Sequence, residues 1–305
     1  MVKSLDYKRL KDALFKGLFR LCGVFAGSMI VLIFGFIIIR GVSVFLPSYG
    51  PNQINFFSFI TGLSWQGDKG IYGVLFIIIN TLITSFFAVL LSFPVSILTA
   101  LFIVKIAPKR ISQVMQTVIE LLAAIPSVVY GVFASGVIVL FVDNFAQLLG
   151  IATFGGRSMM AVVILLALMI LPTMTSLSIV AIAAVNKDLE HASLALGATK
   201  TQTDFKIVLT SAKSGIFAGL ILGLSRALGE ATAVSMVAGN RSSGPTLNPF
   251  DITRTLTSTM LSGLNETTGV DYDVRFSVGI VLIVMILVSN LIIHAVKRKV
   301  GHHGS

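Results

Sequence analysis

The sequence predicts an all-α polytopic membrane protein with six transmembrane helices. Three observations carry this. Hydrophobic residues make up 55% of the 305-residue chain and charged residues only 12%, against roughly 25% charged in an ordinary soluble domain. The apolar residues fall in long uncharged runs, which a water-soluble fold has no means to cover. A bilayer core about 30 Å thick needs roughly 20 apolar helical residues to cross it, and six stretches meet that length.

The first run covers 21–45, behind a basic start made of Lys3, Lys8, Arg9, Lys11, Lys16 and Arg20. It exceeds the 7–15 apolar residues, roughly, of a secretory signal, and no A-x-A-like site follows it. A retained first span is therefore expected. The second run, 71–104, is long for one helix and too short for two with a turn between them. Pro94 near its end points to a kink or an oblique exit. The third lies within 120–142, the fourth within 158–185, the fifth at 215–239 and the sixth at 276–296.

Charge tests this count. With six crossings and the N-terminus inside, the inside segments hold sixteen Lys and Arg and the outside segments six, with Arg226 left within a span. That bias is the positive-inside pattern, and it puts both termini in the cytoplasm. It also accounts for the formal charge of +10, so no nucleic-acid partner is expected. The segments are then 1–20, a cytoplasmic N-terminal segment; 21–297, a transmembrane domain; and 298–305, a cytoplasmic tail. The lone cysteine, Cys22, allows no internal disulfide.

The connections differ in character. Most of 45–70 is rich in Pro, Gly, Asn and Ser and reads as an external loop. The inside stretch 186–214 alternates charged, small and apolar residues around Gly197, which predicts two short amphipathic helices with a turn at that glycine. The outside stretch 240–275 is long and rich in Ser and Thr.

Arg226 and Glu230 lie inside the otherwise apolar fifth run. An arginine at a helix centre costs roughly 2.5–3.5 kcal/mol, and intramembrane charges usually mark substrate paths. Four residues apart on one helix, the two share a face and are able to pair. Either they form a structural ion pair or they line a hydrophilic pathway on which Arg226 attracts an anion. Gly215, Gly219 and Gly223, continued by Ala227 and Ala231, form a small-residue stripe that lets another helix approach closely, within the chain or in another subunit. In the third run Glu120 precedes Pro126, which removes a backbone donor.

Some chemistries have no residues to carry them. There is no Walker A sequence, no HExxH and no GxSxG. No metal site is expected, since the four histidines lack partners at ligand spacing within a span; the pair His302 and His303 sits on the tail.

The stretch His191-Ala192-Ser193-Leu194-Ala195-Leu196-Gly197, continuing to Ile207-Val208-Leu209, resembles the EAA loop of ABC-importer permeases. In that pattern His191 stands in place of a glutamate, with Glu190 one residue early, and Thr210 stands in place of a proline. The resemblance implies a type I ABC importer permease architecture. It also implies that 186–214, through Glu190, His191, Ala192, Gly197 and Leu209, couples the chain to an ATPase subunit by helix-in-groove docking.

Three further stretches narrow the resemblance. The run 122–131 (Leu-Ala-Ala-Ile-Pro-Ser-Val-Val-Tyr-Gly) is similar to the third span of phosphate-specific transport permeases. The runs 225–231 and 236–240 (Ser-Arg-Ala-Leu-Gly-Glu-Ala and Met-Val-Ala-Gly-Asn) are similar to their fifth span, and 250–257 to the loop after it. The Met-Val-Ala-Gly-Asn run favours the C-type permease over the A-type, and Ala231 departs from a common threonine.

This resemblance implies an importer of inorganic phosphate working by alternating access in a prokaryotic plasma (inner) membrane. It implies a heterodimer with a second homologous permease, two ATPase subunits and an extracytoplasmic phosphate-binding protein. The chain itself would be non-catalytic and hold no cofactor, with ATP and Mg bound by the partner ATPase. Arg226 would attract the anion, and Glu230 would hold Arg226 in the empty site. An ABC permease for sulfate, molybdate or a phosphonate, a gradient-driven carrier or channel, and a non-transporting scaffold are the alternatives.

Overall fold

The computed structural model describes the backbone of residues 2–301 and the side chains of residues 11–295. His302 and His303 lie outside the described residues, as do the side chains of Lys3, Lys8, Arg9, Lys297, Arg298 and Lys299. Six helical stretches are long and apolar enough to cross a membrane: Lys11–Ser43, Leu75–Ile106, Ser127–Leu148, Met159–Ala183, Lys200–Gly229 and Val270–Ala295.

Helix α1 runs from Val2 to Ser43, so the basic start continues the first span without a break. A short helix α2 (Phe56–Thr61) and a hairpin of β1 (Trp65–Gln66) and β2 (Ile71–Tyr72) give order to the expected external loop. The second apolar run is one helix, α3 (Leu75–Leu101), with Pro94 inside it, extended by a π-helical turn Phe102–Ile106.

The third run departs from its expected bounds. Helix α4 (Lys109–Ala124) carries Glu120, exposed, and ends where Ile125 turns extended, at φ −64° and ψ 127°. The span itself begins after Pro126 and comprises α5 (Ser127–Phe133), a π turn and α6 (Val139–Leu148). The reason is local: proline has no N–H to donate and pushes its predecessor out of the α region. Helix α7 (Met159–Ala183) follows.

The inside stretch yields one separate amphipathic helix, α8 (Lys187–Ala195), and the predicted turn at Gly197, whose φ is +87°. The second expected helix is not separate. From α9 (Lys200–Gln202) the chain passes through a π turn (Thr203–Val208) into α10 (Leu209–Gly229), so the fifth span starts 15 residues earlier than its apolar run. It also ends earlier. Glu230 is extended, and a short α11 (Thr232–Val237) resumes beyond it. A last pair, α12 (Leu256–Leu261) and α13 (Val270–Gly301), completes the chain.

The centre of the bundle is α7, packed between α3 and α10. Leu165, Leu166, Met169, Ile170 and Met174 of α7 are fully buried. On the α3 side, the Ser92 and Ser96 hydroxyls donate to the carbonyls of Ala167 and Leu171, at 2.5 and 3.3 Å. On the α10 side the small-residue stripe makes close approach possible. A Cβ on Gly215 would meet Ala181 Cβ at 2.5 Å, one on Gly219 Leu177 Cβ at 3.3 Å, and one on Gly223 Met174 Cγ at 2.7 Å. The stripe therefore faces a helix of the same chain.

A second close approach joins the two interrupted spans. A Cβ on Gly131 of α5 would stand 2.6 Å from Met236 Sδ and 2.9 Å from Ala233 Cα, both of α11. The Ala233 backbone has no soft degree of freedom to yield. Gly131→Ala should therefore cost about 1–3 kcal/mol, as overpacking does, and lower the thermal-unfolding midpoint in detergent. Gly27→Ala on α1, where an added Cβ meets nothing within 4 Å, should leave the midpoint within a degree or so of the native chain. Equal midpoints for the two variants would contradict the close packing of α5 on α11.

Candidate functional site

The two helix interruptions lie side by side, and each is closed by side chains. At the first, the Tyr130 hydroxyl donates back to the Leu122 carbonyl at 2.9 Å, spanning the Ile125–Pro126 break. At the second, Glu230 Oε1 accepts the Ala233 N–H at 3.0 Å and so caps α11. The Thr257 hydroxyl donates to the Glu230 carbonyl at 2.7 Å. Tyr130, Ala134, Ala233 and Val234 belong to one buried cluster with the centre of α7. Discontinuous helices of this kind border the binding sites of many transporters.

Arg226 stands one turn before the second break, half-buried. Its Nη1 donates to the Thr173 hydroxyl of α7 at 2.8 Å. The neighbouring Ser225 hydroxyl donates to Asn290 Oδ1 of α13 at 3.1 Å. The pairing of Arg226 with Glu230 expected from their spacing does not form. The three ion pairs among the described residues are Arg40–Asp273, Lys105–Glu190 and Arg241–Asp251. The cause is the extended backbone at Glu230, which removes it from the helical register on which an i, i+4 contact depends. Its carboxylate is used at the head of α11 instead. Arg226 thus stands inside an apolar span with a neutral hydroxyl as its partner.

The stretch 186–214 is built on caps. The Asn186 side chain accepts the Asp188 N–H at the start of α8, and Thr199 forms a capping box with Gln202 at the start of α9. Glu190 turns inward and pairs with Lys105 at the end of the α3 extension. The Ser193 hydroxyl meets that of Thr203 at 2.9 Å. His191, Ala192, Leu194, Leu196 and Gly197 are exposed on the outer surface of this turn, and Leu209 is half-buried against the α3–α10 packing. Glu190 and His191, neighbours in sequence, therefore face different surroundings.

At the opposite end, residues 238–261 fold back onto the bundle. Met159 and Met160 N–H groups donate to the carbonyls of Asp251 and Pro249, and Thr253, Leu256 and Ser258 are fully buried. Trp65 N–H donates to the Ser242 carbonyl at 2.7 Å, which binds the hairpin to this segment. Tyr49 donates to Asp273 at 2.7 Å; burial and then this carboxylate raise the Tyr49 hydroxyl to a pKa of about 12.

Three features escaped the sequence. Helix α4 carries an apolar stripe, Ile111, Val114, Val118 and Leu121, at helical spacing, and that period was readable. The break at Glu230 had no proline to announce it. The positions of Arg254 and Arg275, which come together near Trp65, depend on contacts between distant segments.

Comparison with known proteins agrees with this architecture. Residues 92–302 match the family described as "Binding-protein-dependent transport system inner membrane component". The chain is 35% identical over 306 residues to the "Probable ABC transporter permease protein YqgH" of Bacillus subtilis, covering 98% of this chain and 96% of that one. It is 30% identical to the phosphate transport system permease protein PstC of Pasteurella multocida, covering 88% and 90%. Among solved structures, a bacterial alginate ABC transporter in complex with its pentasaccharide-bound periplasmic protein shares the fold. Its TM-score is 0.63 at 20% identity, with 92% of this chain and 94% of that chain covered. Six membrane-length helices, paired helix breaks beside an intramembrane arginine and a match over most of the chain lead to one conclusion. This chain belongs to the binding-protein-dependent transport system inner membrane components, the permeases of ABC importers.

Proposed function

We propose that this permease carries inorganic phosphate inward by alternating access, driven by ATP hydrolysis in separate subunits. The observation that carries the substrate is Arg226. A guanidinium stays charged at any physiological pH and offers a planar fork of donors suited to phosphate. Here it has a hydroxyl for a partner and no carboxylate within 4.0 Å to pair with it, so an anion beside it gains a counter-charge. Glu230 adds negative charge on the far side of the break, where it discourages an anion from settling. The phosphate transport names of relatives at about 30% identity support the same substrate.

In this reading the chain pairs with a second homologous permease, docks two ATPase subunits through the α8 turn, and receives phosphate from an extracytoplasmic binding protein. The turn is suited to docking because Ala192, Leu194 and Leu196 form an exposed apolar surface, while the inward pair Lys105–Glu190 holds α8 to the end of α3. Both termini then lie in the cytoplasm, and the 238–261 segment faces outward.

The decisive measurement is uptake of labelled phosphate by proteoliposomes holding this chain with its permease partner and ATPase, with ATP inside and binding protein outside. ATP-dependent uptake blocked by unlabelled phosphate and insensitive to sulfate and molybdate is expected. Uptake of another oxyanion would move the substrate, and uptake that ignores ATP would overturn the mechanism. Arg226→Ala should lower the rate by roughly 100-fold, since a lost charge-assisted contact is worth up to about 3 kcal/mol, while the complex still assembles. A normal rate in that variant would remove Arg226 from the pathway.

Docking has its own check. Ala192→Asp places a charge on the exposed surface of α8 and should prevent the ATPase from co-purifying with the permease. Undiminished co-purification would show that the subunits meet elsewhere.

A further inference from the structure

At the end of the bundle opposite α8, a cavity of about 560 Å³ lies between the β-hairpin and the segment after α11. Trp65, Lys69, Ser242, Arg254 and Arg275 line it, together with the carboxylates Asp68 and Asp271. Its two arginines are held very differently. Arg275 is buried, with its Nε and Nη1 engaged. Its Nη1 donates to the carbonyls of Thr259 and Ser262, and its Nε to that of Asp271.

Arg254 has no such set. Its Nε and Nη1 are buried without a hydrogen-bond partner. Its guanidinium lies 6.0 Å from the centre of the Trp65 ring, a contact that offers the charge a π face and leaves the donors unmade. Neither carboxylate forms an ion pair with it within 4.0 Å. Asp271 is taken by the Tyr72 hydroxyl, and Asp68 stands exposed at the rim. Burial, and then the like charge of Arg275, draw the Arg254 pKa down to about 10, which leaves it protonated at neutral pH.

A buried donor without an acceptor is uncommon in folded proteins and costly where it occurs. Two such donors on one guanidinium, carried by a residue that lines the cavity beside a second arginine, define a place missing an acceptor with two or more oxygens. A tetrahedral oxyanion supplies these in the fork geometry that arginine favours, and Ser242 lines the same space. Position adds to this. Arg254 precedes by three residues Thr257, whose hydroxyl holds the carbonyl of Glu230 at the α10–α11 break. The cavity and the surroundings of Arg226 are therefore joined by one short, buried segment.

We infer that Arg254, with Arg275 and Ser242, forms a second anion site in the outer vestibule, at which a tetrahedral oxyanion rests before reaching Arg226. Its place on the path rests on the phosphate-import reading, whereas its capacity to bind an oxyanion does not.

Trp65 is the chain's single tryptophan, so its fluorescence reports on this cavity alone. The test uses the full chain in lipid nanodiscs, titrated with inorganic phosphate and separately with sulfate, with retention of labelled phosphate measured in parallel. A saturable change in Trp65 emission and saturable retention are expected. Arg254→Gln should abolish the Trp65 response and lower the amount retained, and Arg254→Lys, which keeps the charge and loses the fork, should raise the half-saturating concentration of the Trp65 response about tenfold or more. Arg226→Ala should leave the Trp65 response in place. The site is overturned if neither anion is retained by the native chain, or if Arg254→Gln and Arg254→Lys both retain it as the native chain does. A site that takes sulfate and ignores phosphate would keep this inference and sink the phosphate reading. Uptake of phosphate at the native rate by the Arg254→Gln transporter would instead keep that reading and remove the site from its path.

Discussion

The structure depends on one constraint: within a bilayer every backbone N–H and C=O must find its partner inside the protein. A continuous helix meets it automatically, and an interrupted one does not. This chain interrupts its helices at the ends of two membrane-length stretches, at Ile125–Pro126 and at Glu230–Ala231, and closes both with side chains. Tyr130 reaches back to Leu122, Glu230 reaches forward to Ala233, and Thr257 comes from a distant segment to hold the Glu230 carbonyl. These bonds commit particular residues to particular places. Gly131 must be small for α5 to lie against α11, and 253–258 must fold inward for Thr257 to arrive. The return of the outer segment into the bundle is thus a consequence of the break it satisfies.

The same constraint sorts the arginines by their partners. Arg241 pairs with Asp251 at 3.0 Å at the partly exposed end of the bundle, where an ion pair is worth little and mainly holds a loop. Arg275 is buried and spends its donors on three backbone carbonyls, which serves a tight turn between α12 and α13. Arg226 has a hydroxyl, and Arg254 has a ring face. Moving along this series, less of the cation is compensated by the protein. A charge in a low-dielectric setting is tolerated when it is paired or when something that binds there pairs it. The two least compensated arginines are the ones joined through Thr257 and Glu230.

The spans were legible because crossing a bilayer demands length and apolarity, properties of contiguous sequence. Six were expected and six are present, and the second run, ambiguous by length, is a single helical stretch of 32 residues from Leu75 to Ile106 that passes through Pro94 and ends in a π turn. Boundaries were less legible where polar helix continues an apolar one. The chain from Lys200 is helical well before it becomes apolar at Gly215, so composition alone divided one helix in two. The pairing of Arg226 with Glu230 followed from assuming that the helix continued between them. What stopped it was a contact from Thr257 and a cap at Ala233, and no local residue pattern encodes either. Arg254 lay beyond reach for the same reason: its neighbours Trp65 and Arg275 are far from it in sequence.

The fusion of the second amphipathic segment with the fifth span changes how motion would travel. Two short helices joined by flexible turns would absorb a displacement at the cytoplasmic surface. Instead, Lys200–Gly229 is a single helix of 30 residues, about 45 Å long at 1.5 Å per residue. It begins at the capping box beside the α8 turn and ends at the extended Glu230. Gly197, at φ +87°, and the extended Thr199 are the non-helical joints between it and α8. On the importer reading, an ATPase that moves α8 therefore acts on one end of a rigid element, and the other end is the place where the helix gives way. Alongside it, Lys105–Glu190 ties α8 to α3, and α3 reaches the outer segment through the Thr81 hydroxyl, which accepts the Leu256 N–H at 3.0 Å. Both routes converge on the stretch from Thr253 to Ser258. On that reading, a small shift there would alter the hydrogen bond from Thr257 to Glu230, and with it the distance between Arg254 and Arg226. On the same reading, the helix break is the point at which movement of α8 would be converted into a change in the field along the pathway.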